Sequence, residues 1–279
     1  MEKKNKFVII DGNAIIHRAY HALPPLTAKG TVVNAVYGFT TMLLKVLEDL
    51  KPTHIAVAFD VAGPTFRDKL YKEYKATRIK ADQELYDQIP LVYEVVKAFG
   101  ISIFTKAGFE ADDVIGLLVA KAESRKLKAD QIIIVTGDKD LLQLVDDKRV
   151  LVYLLRKGLS EVEIYDDKKA EERFGFPSAL IVDYKALLGD TSDNIPGVNG
   201  IGEKTATALI QKIGCIEDIY SALEKPETLI KMGFSKSVIE KLKAGAADAK
   251  LSKILSTIEP DIDGLEFSLD GCAVREFDR

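Results

Sequence analysis

Aspartates follow three short apolar runs of this chain. They are Asp11 after residues 7–10, Asp60 after 55–59 and Asp138 shortly after 132–135. Apolar runs of this length, bounded by polar residues, are typical of buried strands. The carboxyl ends of parallel strands meet at one edge of a sheet, so we expect the three carboxylates to lie together. Because carboxylates at short range repel one another unless cations neutralise them, the pattern predicts a metal-dependent enzyme of phosphate chemistry.

Strand and helix patterns alternate through the first half of the chain. The strand-like runs are 7–10, 55–59, 101–104, 131–135 and 150–155, and the helical patterns between them are 32–50, 85–99 and 114–126. This alternation predicts an α/β fold with a mostly parallel central sheet and helices on both faces, at residues 1–165. Residues 166–279 predict a second, mostly helical domain, with helices at 166–174, 178–188, 203–213, 216–223 and 235–255.

Composition excludes several classes of protein. Hydrophobic residues make up 47% of the 279 residues, which is enough for a sizeable core and argues against disorder. No apolar run approaches the ~20 residues that a membrane helix needs. Two cysteines give no disulfide framework, so we expect a reducing cytoplasm.

The segment 63–83 is charged, poor in core residues and long for a loop, which is typical of functional loops. The net charge of the chain is −4, which argues against a nucleic-acid partner, but residues 67–80 hold six basic and two acidic residues. Tyr71 and Tyr74 interleave with these charges, as in grooves that bind single-stranded nucleic acid. The alternative is a solvated helix face with an ion pair between Asp68 and Lys72.

Further acids cluster outside the three strand ends. They are Glu110, Asp112 and Asp113 at the start of a helical pattern, Asp140 close to Asp138, and Asp190 with Asp193 in a turn-rich stretch. The first three also suit a helix N-terminus, and the last two suit a turn. Taken together, the carboxylates indicate two Mg²⁺ or Mn²⁺ ions rather than one. Zinc is disfavoured because the set lacks cysteine and a group of histidines.

Two other classes of protein place an aspartate at a strand end. A phosphoacceptor domain uses one nucleophilic aspartate and needs no second group near Asp190. A dinucleotide-binding fold needs a glycine-rich turn, which residues 11–13 do not provide. His17 and His21 have an i,i+4 spacing, but without a third ligand we favour a surface or phosphate-facing role.

A glycine-rich stretch follows the Asp190 and Asp193 pair. It contains Gly197, Gly200 and Gly202 and leads into Lys204, Thr205 and a predicted helix at 203–213. Free N–H groups at such a helix start bind phosphate without reading base sequence. The alternative is an ordinary turn between two helices, but three glycines exceed what a turn requires.

The same stretches resemble one known family. The motifs are residues 10–13, 58–60, 108–113, 136–140 and 188–197, the last followed by 200–202. They resemble the 5′ nuclease (flap endonuclease-like) superfamily, with its PIN-like sheet, and most closely the 5′→3′ exonuclease domains of bacterial DNA polymerase I. The resemblance covers nearly the whole chain.

The resemblance implies metal ligands and DNA contacts. One metal ion would bind Asp11, Asp60, Glu110 and Asp112, and the other Asp138, Asp140, Asp190 and Asp193, with Asp113 nearby. Residues 63–83 would form a helical arch in which Tyr74, Lys75 and Arg78 face the scissile phosphate, and Lys75 would stabilise transition-state charge. Residues 190–214 would contain a helix–hairpin–helix that grips duplex DNA, often with a monovalent cation such as K⁺. With the basic segment, the other expected DNA contacts are His17, Arg18, Tyr20, Arg67, Lys72, Gly197, Gly200, Gly202, Lys204 and Thr205.

The implied activity is that of a structure-specific 5′ nuclease in replication and repair. It would hydrolyse DNA or RNA-primer phosphodiester bonds by a two-metal mechanism, as a 5′→3′ exonuclease and flap endonuclease. Its partners would be branched or nicked DNA with a 5′ flap and RNA primer–DNA hybrids. It would be a monomer of the bacterial cytoplasm and nucleoid, fused to or working with a DNA polymerase and without a membrane. The alternative is a non-catalytic module of the same fold that binds DNA junctions.

Overall fold

The computed structural model of the protein describes residues 5–124, 129–147, 149–159 and 161–275. The described chain forms two compact units. The first comprises the ranges Met1–Thr65, Lys80–Asp166 and Ile258–Arg279, and the second comprises Phe66–Ile79 and Asp167–Thr257. The change near residue 166 lies where the sequence pattern changes. Two segments cross that division, since 66–79 joins the second unit and the chain from 258 onward joins the first.

The described residues form eight strands and twelve α-helices. The strands are β1 (Lys6–Asp11), β2 (Thr27–Ala28), β3 (Thr31–Val32), β4 (His54–Ala58), β5 (Ser102–Phe104), β6 (Gln131–Thr136), β7 (Val150–Lys157) and β8 (Glu161–Tyr165). The helices are α1 (Gly12–Ala22), α2 (Asn34–Leu50), α3 (Phe66–Leu70), α4 (Gln83–Ala98), α5 (Ala111–Glu123), α6 (Asp167–Phe174), α7 (Ile181–Leu188), α8 (Glu203–Ile213), α9 (Ile216–Ala222), α10 (Pro226–Lys231), α11 (Lys236–Ala244) and α12 (Ala246–Ser256).

Six of these strands form one sheet in the first unit, in the order β5-β4-β1-β6-β7-β8. Neighbouring strands are parallel except β8, which pairs antiparallel with β7 at one edge. The predicted mostly parallel sheet is therefore confirmed. The sequence analysis did not predict β8, a five-residue edge strand with two glutamates and a 46% exposed Ile164, because it lacks the continuous apolar run of the buried strands. Strands β2 and β3 form a separate small hairpin.

Helices cover both faces of the sheet. Val8, Ile10 and Val57 pack with buried residues of α1, α2 and α4. Phe7 and Ile9 are equally buried. Because successive strand residues point to opposite faces, these two line the other face, on which α5 packs.

The predicted helices are observed with shifted ends. The pattern at 235–255 is two helices, α11 and α12, with Gly245 between them. The pattern at 114–126 begins earlier, at Ala111, and its helix ends at Glu123, while residues 125 and 126 lie outside the described residues. The arch predicted at 63–83 contains the five-residue helix α3 followed by turns, so its helical part is much shorter than expected. In the described chain, no helix is both long enough and apolar enough to cross a bilayer.

Polar contacts attach several elements of the second unit to α12. Lys253 donates to Asp183 of α7 at 2.7 Å and to Glu217 of α9 at 2.8 Å. Ser252 is buried, and its hydroxyl accepts the backbone N–H of Gly197 at 2.9 Å. Helix α12 therefore fixes the start of the glycine-rich stretch relative to α7 and α9.

Candidate metal centre and nucleic-acid interface

Asp11 lies at the junction of β1 and α1 and is 3% exposed. One carboxylate oxygen caps α1 by accepting the N–H of Ala14 at 3.0 Å, and the other accepts the hydroxyl of Thr136 at 2.6 Å. Burial raises the pKa of Asp11 to about 7 although these hydrogen bonds oppose the shift, and the charges of Asp138 and Asp60 raise the pKa further. Asp11 is therefore a buried acid surrounded by like charge.

Asp112 lies in the first turn of α5. Burial raises the pKa of its carboxyl well above 3.8, and the negative charges of Asp11, Asp138, Asp140 and Glu110 raise it further. Carboxylates from three strand ends and one helix start are thus close enough to repel one another. The structure thus brings these acids of the first half near one another, as their positions at strand ends and at a helix start predicted.

Backbone N–H groups orient the other acids at this edge of the sheet. Asp60 follows β4 and accepts the N–H of Ala111 at 2.6 Å. Asp138 accepts the N–H of Asp140 at 2.9 Å. The Thr136 hydroxyl, which donates to Asp11, also accepts the N–H of Asp138 at 2.9 Å. Thr136 therefore connects the ends of β1 and β6.

The donor set fits hard divalent cations, since it consists of carboxylate oxygens whose mutual repulsion a cation would relieve. Among the described residues, no group of three histidine, cysteine, aspartate or glutamate side chains lies close enough together to hold one ion. The assignment of nine acids to two metal ions stays a prediction.

Glu110 and Asp113 cap α5. They form a capping box, in which the Glu110 side chain accepts a backbone N–H of the first turn and Asp113 accepts the N–H of Glu110 at 3.0 Å. The other oxygen of Asp113, which is fully buried, accepts the N–H of Glu259 at 2.9 Å. The alternative reading of these acids as helix-start residues is thus confirmed for Glu110 and Asp113, and both oxygens of Asp113 have backbone partners.

Three residues of α1 that were expected to contact DNA have different surroundings. Arg18 is half-buried and donates to the backbone oxygens of Gly137 at 3.4 Å and Arg156 at 3.3 Å, so it packs over the turn that carries Asp138. The rings of His17 and His21 are 6.4 Å apart. The Tyr20 hydroxyl donates to Asp82 at 3.2 Å. The contact of His17, Arg18 and Tyr20 with DNA stays a prediction.

Asp190 of the second unit has its own cationic partner. Lys185 of α7 donates to Asp190 at 2.7 Å, and the backbone and hydroxyl of Ser192 donate at 2.9 and 2.6 Å. Burial acts to raise the pKa of Asp190, but the bonds from Lys185 and Ser192 outweigh it and lower the pKa to about 2. Asp190 is therefore ionised throughout the physiological range.

Asp193 contacts the three residues predicted to face the scissile phosphate. Arg78 donates to it through Nε at 3.0 Å and through a terminal nitrogen. The Tyr74 hydroxyl donates at 3.4 Å, and the Lys75 ammonium lies 3.9 Å away. The structure thus brings Tyr74, Lys75 and Arg78 together around a carboxylate, and their approach to a scissile phosphate stays a prediction.

Three expected DNA contacts are corrected. Arg67 is 3% exposed, because its guanidinium donates to the backbone oxygens of Leu255 at 2.9 Å and Thr257 at 2.7 Å and caps the end of α12. Tyr74 is 5% exposed and packs with Ile195 and Leu255, so its ring is not available to stack on a base. Gly197 is buried, and its N–H is bonded within the second unit.

Several other residues of the glycine-rich stretch are exposed, while Val198 and Ile201 between them are buried. Gly200, Gly202 and Lys204 are exposed, Thr205 is half-buried and α8 begins at Glu203, as the pattern predicted. Gly202 is the N-cap residue of α8, and it has no side chain that could accept the N–H groups of the first turn. The Lys72 side chain in the first part of the basic segment is also exposed. Phosphate contacts at these residues, and a monovalent cation at the hairpin, stay predictions.

Sequence analysis missed Thr136 and Lys185 as site residues. Thr136 lies in the motif 136–140 and is fully buried, which is unusual for a threonine at the end of a strand. Lys185 lies on a helical pattern five residues before Asp190, whereas ion pairs within a helix join residues three or four apart. Asp190 lies beyond the end of α7, so this spacing rule did not indicate the pair. Only the tertiary contacts reveal the partners of these two side chains.

Family models and known proteins match nearly the whole chain. A family model described as the 5′-3′ exonuclease N-terminal resolvase-like domain matches residues 6–175, and one described as the 5′-3′ exonuclease C-terminal SAM fold matches residues 176–279. DNA polymerase I of Bacillus subtilis (strain 168) is 41% identical over 280 residues, which cover 100% of this chain and 30% of that protein. DNA polymerase I of Caldicellulosiruptor bescii is 43% identical over 276 residues, which cover 98% of this chain and 31% of that protein. The chain thus spans about 30% of the length of these relatives.

Solved structures share the fold. Bacteriophage T5 5′-exonuclease with bound zinc has a TM-score of 0.74 at 22% identity, covering 91% of this chain and 90% of that chain. The catalytic core of Rad2 in complex with DNA substrate has a TM-score of 0.56 at 18% identity, covering 93% of this chain and 80% of that chain. At these identities the likeness shows the fold alone.

Proposed function

This chain belongs to the 5′-3′ exonuclease family, and we propose that it hydrolyses phosphodiester bonds near the 5′ ends of branched or nicked DNA with the help of Mg²⁺ or Mn²⁺. Its substrates are DNA with a 5′ flap and RNA primers paired with DNA. It works as a monomer in the bacterial cytoplasm, within or beside a DNA polymerase. The polymerase assignment is supported by relatives that are DNA polymerases.

One observation carries the proposal. Asp11 and Asp112 are carboxylates whose pKa values burial raises, and the neighbouring carboxylates Asp138 and Asp140 raise the pKa of Asp112 further. Burial and like charge both destabilise a folded protein that keeps such groups ionised. Perturbed acids of this kind cluster at functional sites, and divalent cations are the partners that stabilise them.

Bound divalent cations supply Lewis acidity, which activates water and neutralises charge on the leaving oxygen. The residues of this chain provide the geometry. Thr136 fixes the distance between Asp11 and the start of the turn that carries Asp138. Its hydroxyl donates to the Asp11 carboxylate and accepts the N–H of Asp138. Asp113 holds the first turn of α5, which carries Asp112, through its bond to the N–H of Glu110. These contacts hold the carboxylates in position for cations and exclude side-chain motion that would spread them.

The second unit supplies positive charge for the nucleic acid. Lys75 and Arg78 stabilise the phosphate of the strand that is cut. Exposed Lys72 and Lys204 contact phosphates away from the cut, together with the N–H groups in the first turn of α8. These contacts recognise backbone rather than base sequence, which suits an enzyme that selects DNA structure.

A cleavage assay with 5′-labelled flap DNA and an RNA-primed duplex tests the proposal. Wild-type protein is expected to release short 5′ products in Mg²⁺ and none in EDTA. Asp112→Asn is expected to lower the single-turnover rate by about 100-fold or more, because it removes an ionised ligand. Asp263→Asn, a change of an exposed aspartate in the same unit, is the matched control.

Two results would contradict the proposal. Product formation that is equal in Mg²⁺ and in EDTA would exclude a metal-dependent reaction. Binding of flap DNA by the wild-type protein without any product would instead support the non-catalytic DNA-junction module.

Lys75→Ala separates chemistry from binding. We expect the single-turnover rate to fall by about 30-fold or more while the DNA dissociation constant rises by less than about threefold, since Lys75 acts on transition-state charge. Lys72→Ala is the matched control, because Lys72 is exposed and in this proposal contributes to DNA binding but not to the cleavage reaction. Equal losses of rate and affinity in Lys75→Ala would contradict this role.

A further inference from the structure

Asp193 is the point at which the 73–78 segment meets the chain before the hairpin, within the second unit. Its side chain is 11% exposed. Arg78 donates to Asp193 through two nitrogens, and Tyr74 donates through its hydroxyl. The ammonium of Lys75 is 3.9 Å away from the second oxygen. All four groups lie within the second unit.

Backbone contacts reinforce this meeting point. The N–H of Lys75 donates to the backbone oxygen of Asp193 at 2.9 Å, and the Asn194 amide donates to the backbone oxygen of Glu73 at 2.7 Å. Lys75 has φ of +54° and Asn194 has φ of +56°. A lysine in this left-handed region is strained, and such strain persists only where surrounding contacts hold it. The bond to Asp193 is one of the contacts that hold Lys75, together with the N–H of Arg78, which donates to the backbone oxygen of Lys75 at 3.0 Å.

The tyrosine beside Lys75 anchors the same segment in the core. The Tyr74 ring packs with Ile195 and Leu255, and the Lys75 ammonium lies 5.0 Å from the centre of that ring. The phenol therefore has its apolar part in the core and its hydroxyl on Asp193. This arrangement leaves the side chains of Lys75 and Arg78 partly exposed, as is Glu73 at the start of the segment.

The carboxylate of Asp193 faces two cations. Arg78 donates to one of its oxygens, and the Lys75 ammonium lies 3.9 Å from the other. Arg78 is half-exposed and Lys75 is 25% exposed, so both remain accessible to an anion from solution. A phosphodiester carries one negative charge and accepts the same hydrogen bonds as a carboxylate.

We propose that Asp193 is a positioning residue, whose carboxylate and backbone hold Tyr74, Lys75 and Arg78 in one arrangement before a substrate phosphate reaches the two cations. This inference rests on the proposed function and deepens it. It gives Asp193 a role in the metal-free protein that its assignment as a metal ligand does not include. Preorganised cations act on transition-state charge without reorganising during the reaction.

Tryptic cleavage in EDTA and without DNA tests the proposal. Trypsin cuts after Lys75 and Arg78 only when this segment opens, and mass spectrometry identifies each cut. Asp193→Asn keeps the shape but removes the charge, and we expect it to speed cleavage at these two bonds by about fivefold or more. Asp190→Asn is the matched control, because Asp190 has other partners, and its cleavage rate is expected to stay within about twofold of wild type.

A fluorescent reporter gives a second measurement. The chain contains no tryptophan, so Tyr71→Trp places a single indole beside the Tyr74 cluster. Acrylamide is expected to quench this indole more strongly when Asp193→Asn is added and equally when Asp190→Asn is added. If Asp193→Asn does not fold, Arg78→Met removes the same ion pair by changing its more exposed partner. We expect trypsin to cleave this variant faster after Lys75 as well.

Metal binding separates positioning from ligation. We expect Asp193→Asn to keep the calorimetric Mn²⁺ dissociation constant within about threefold of wild type while the single-turnover rate falls. Unchanged tryptic cleavage in Asp193→Asn and Arg78→Met would overturn the inference, as would a loss of Mn²⁺ affinity without faster cleavage. Failure of the proposed function would appear differently, as wild-type protein that leaves flap DNA uncut in Mg²⁺.

Discussion

Replacing Asp11 by asparagine tests the electrostatics of the first unit. Burial raises the pKa of Asp11 from 3.8 to about 7, so between these values the folded protein holds a proton that the unfolded chain has released. The free energy of unfolding therefore falls as pH rises through this window. One pKa unit is worth about 1.4 kcal/mol, so the ionised carboxylate destabilises the metal-free protein by about 4 kcal/mol above neutral pH.

Asp11→Asn removes this titration and keeps the local shape. Asparagine caps a helix as well as aspartate does, and its amide can pair with the Thr136 hydroxyl. In EDTA we expect both proteins to have the same free energy of unfolding within about 1 kcal/mol near pH 4. Near pH 8 the variant is expected to be more stable by about 2–4 kcal/mol. Urea titrations at several pH values measure this difference directly.

Asp263→Asn is the control. It changes an exposed aspartate of the same unit, and the free energy of unfolding is expected to depend on pH as it does in wild type. A stability difference between Asp11→Asn and wild type that is the same at every pH would refute the reasoning. Adding Mg²⁺ near pH 8 is expected to stabilise wild type more than the variant, because the cation binds the ionised carboxylate.

Four other substitutions test local contacts by urea titration. Lys185→Met removes the ammonium that, together with Ser192, lowers the pKa of Asp190 to about 2, and we expect a loss of about 2 kcal/mol near pH 7. A lowered pKa stabilises only above the ordinary value, so this loss should shrink as pH falls from about 4 towards 2, and a constant loss would contradict it. Gly197→Ala places a Cβ 2.3 Å from a backbone nitrogen at φ of +63° and should cost about 2 kcal/mol or more, whereas Gly202→Ala meets open space and should cost under about 1 kcal/mol. Gln88→Leu leaves two N–H groups at the start of α2 unpaired and should cost about 2–3 kcal/mol, and an unchanged midpoint would exclude this capping role.

Local patterns predicted much of the fold. The apolar runs that become β1, β4, β6 and β7 are continuous because both faces of these strands are buried, so no tertiary information was needed to find them. The gathering of Asp11 and Asp138 followed from the rule that parallel strands end at one edge. Residues Glu161 and Glu163 show the opposite case, since an edge strand is half-solvated and its weak pattern predicts no strand.

Charge alone could not assign the basic segment. Arg67 and Arg78 look alike in sequence, yet one is buried against the end of α12 and the other is half-exposed beside Asp193. Tyr74 likewise reads as a stacking aromatic, but its ring is in the core. Which face of a short, irregular segment becomes buried depends on the elements that pack against it, and these lie more than a hundred residues away.

The sequence by itself determined most strands of the sheet and which carboxylates lie at their ends, because continuous apolar runs and the rule for parallel strands are read from local patterns. Tertiary structure alone decided their state. The pKa of Asp11, the full use of both Asp113 oxygens and the pairing of Asp193 with Arg78 all depend on burial and on distant partners. The physical reason is that desolvation and hydrogen bonding act over a few ångströms of space, and the order of residues along a chain does not specify that distance.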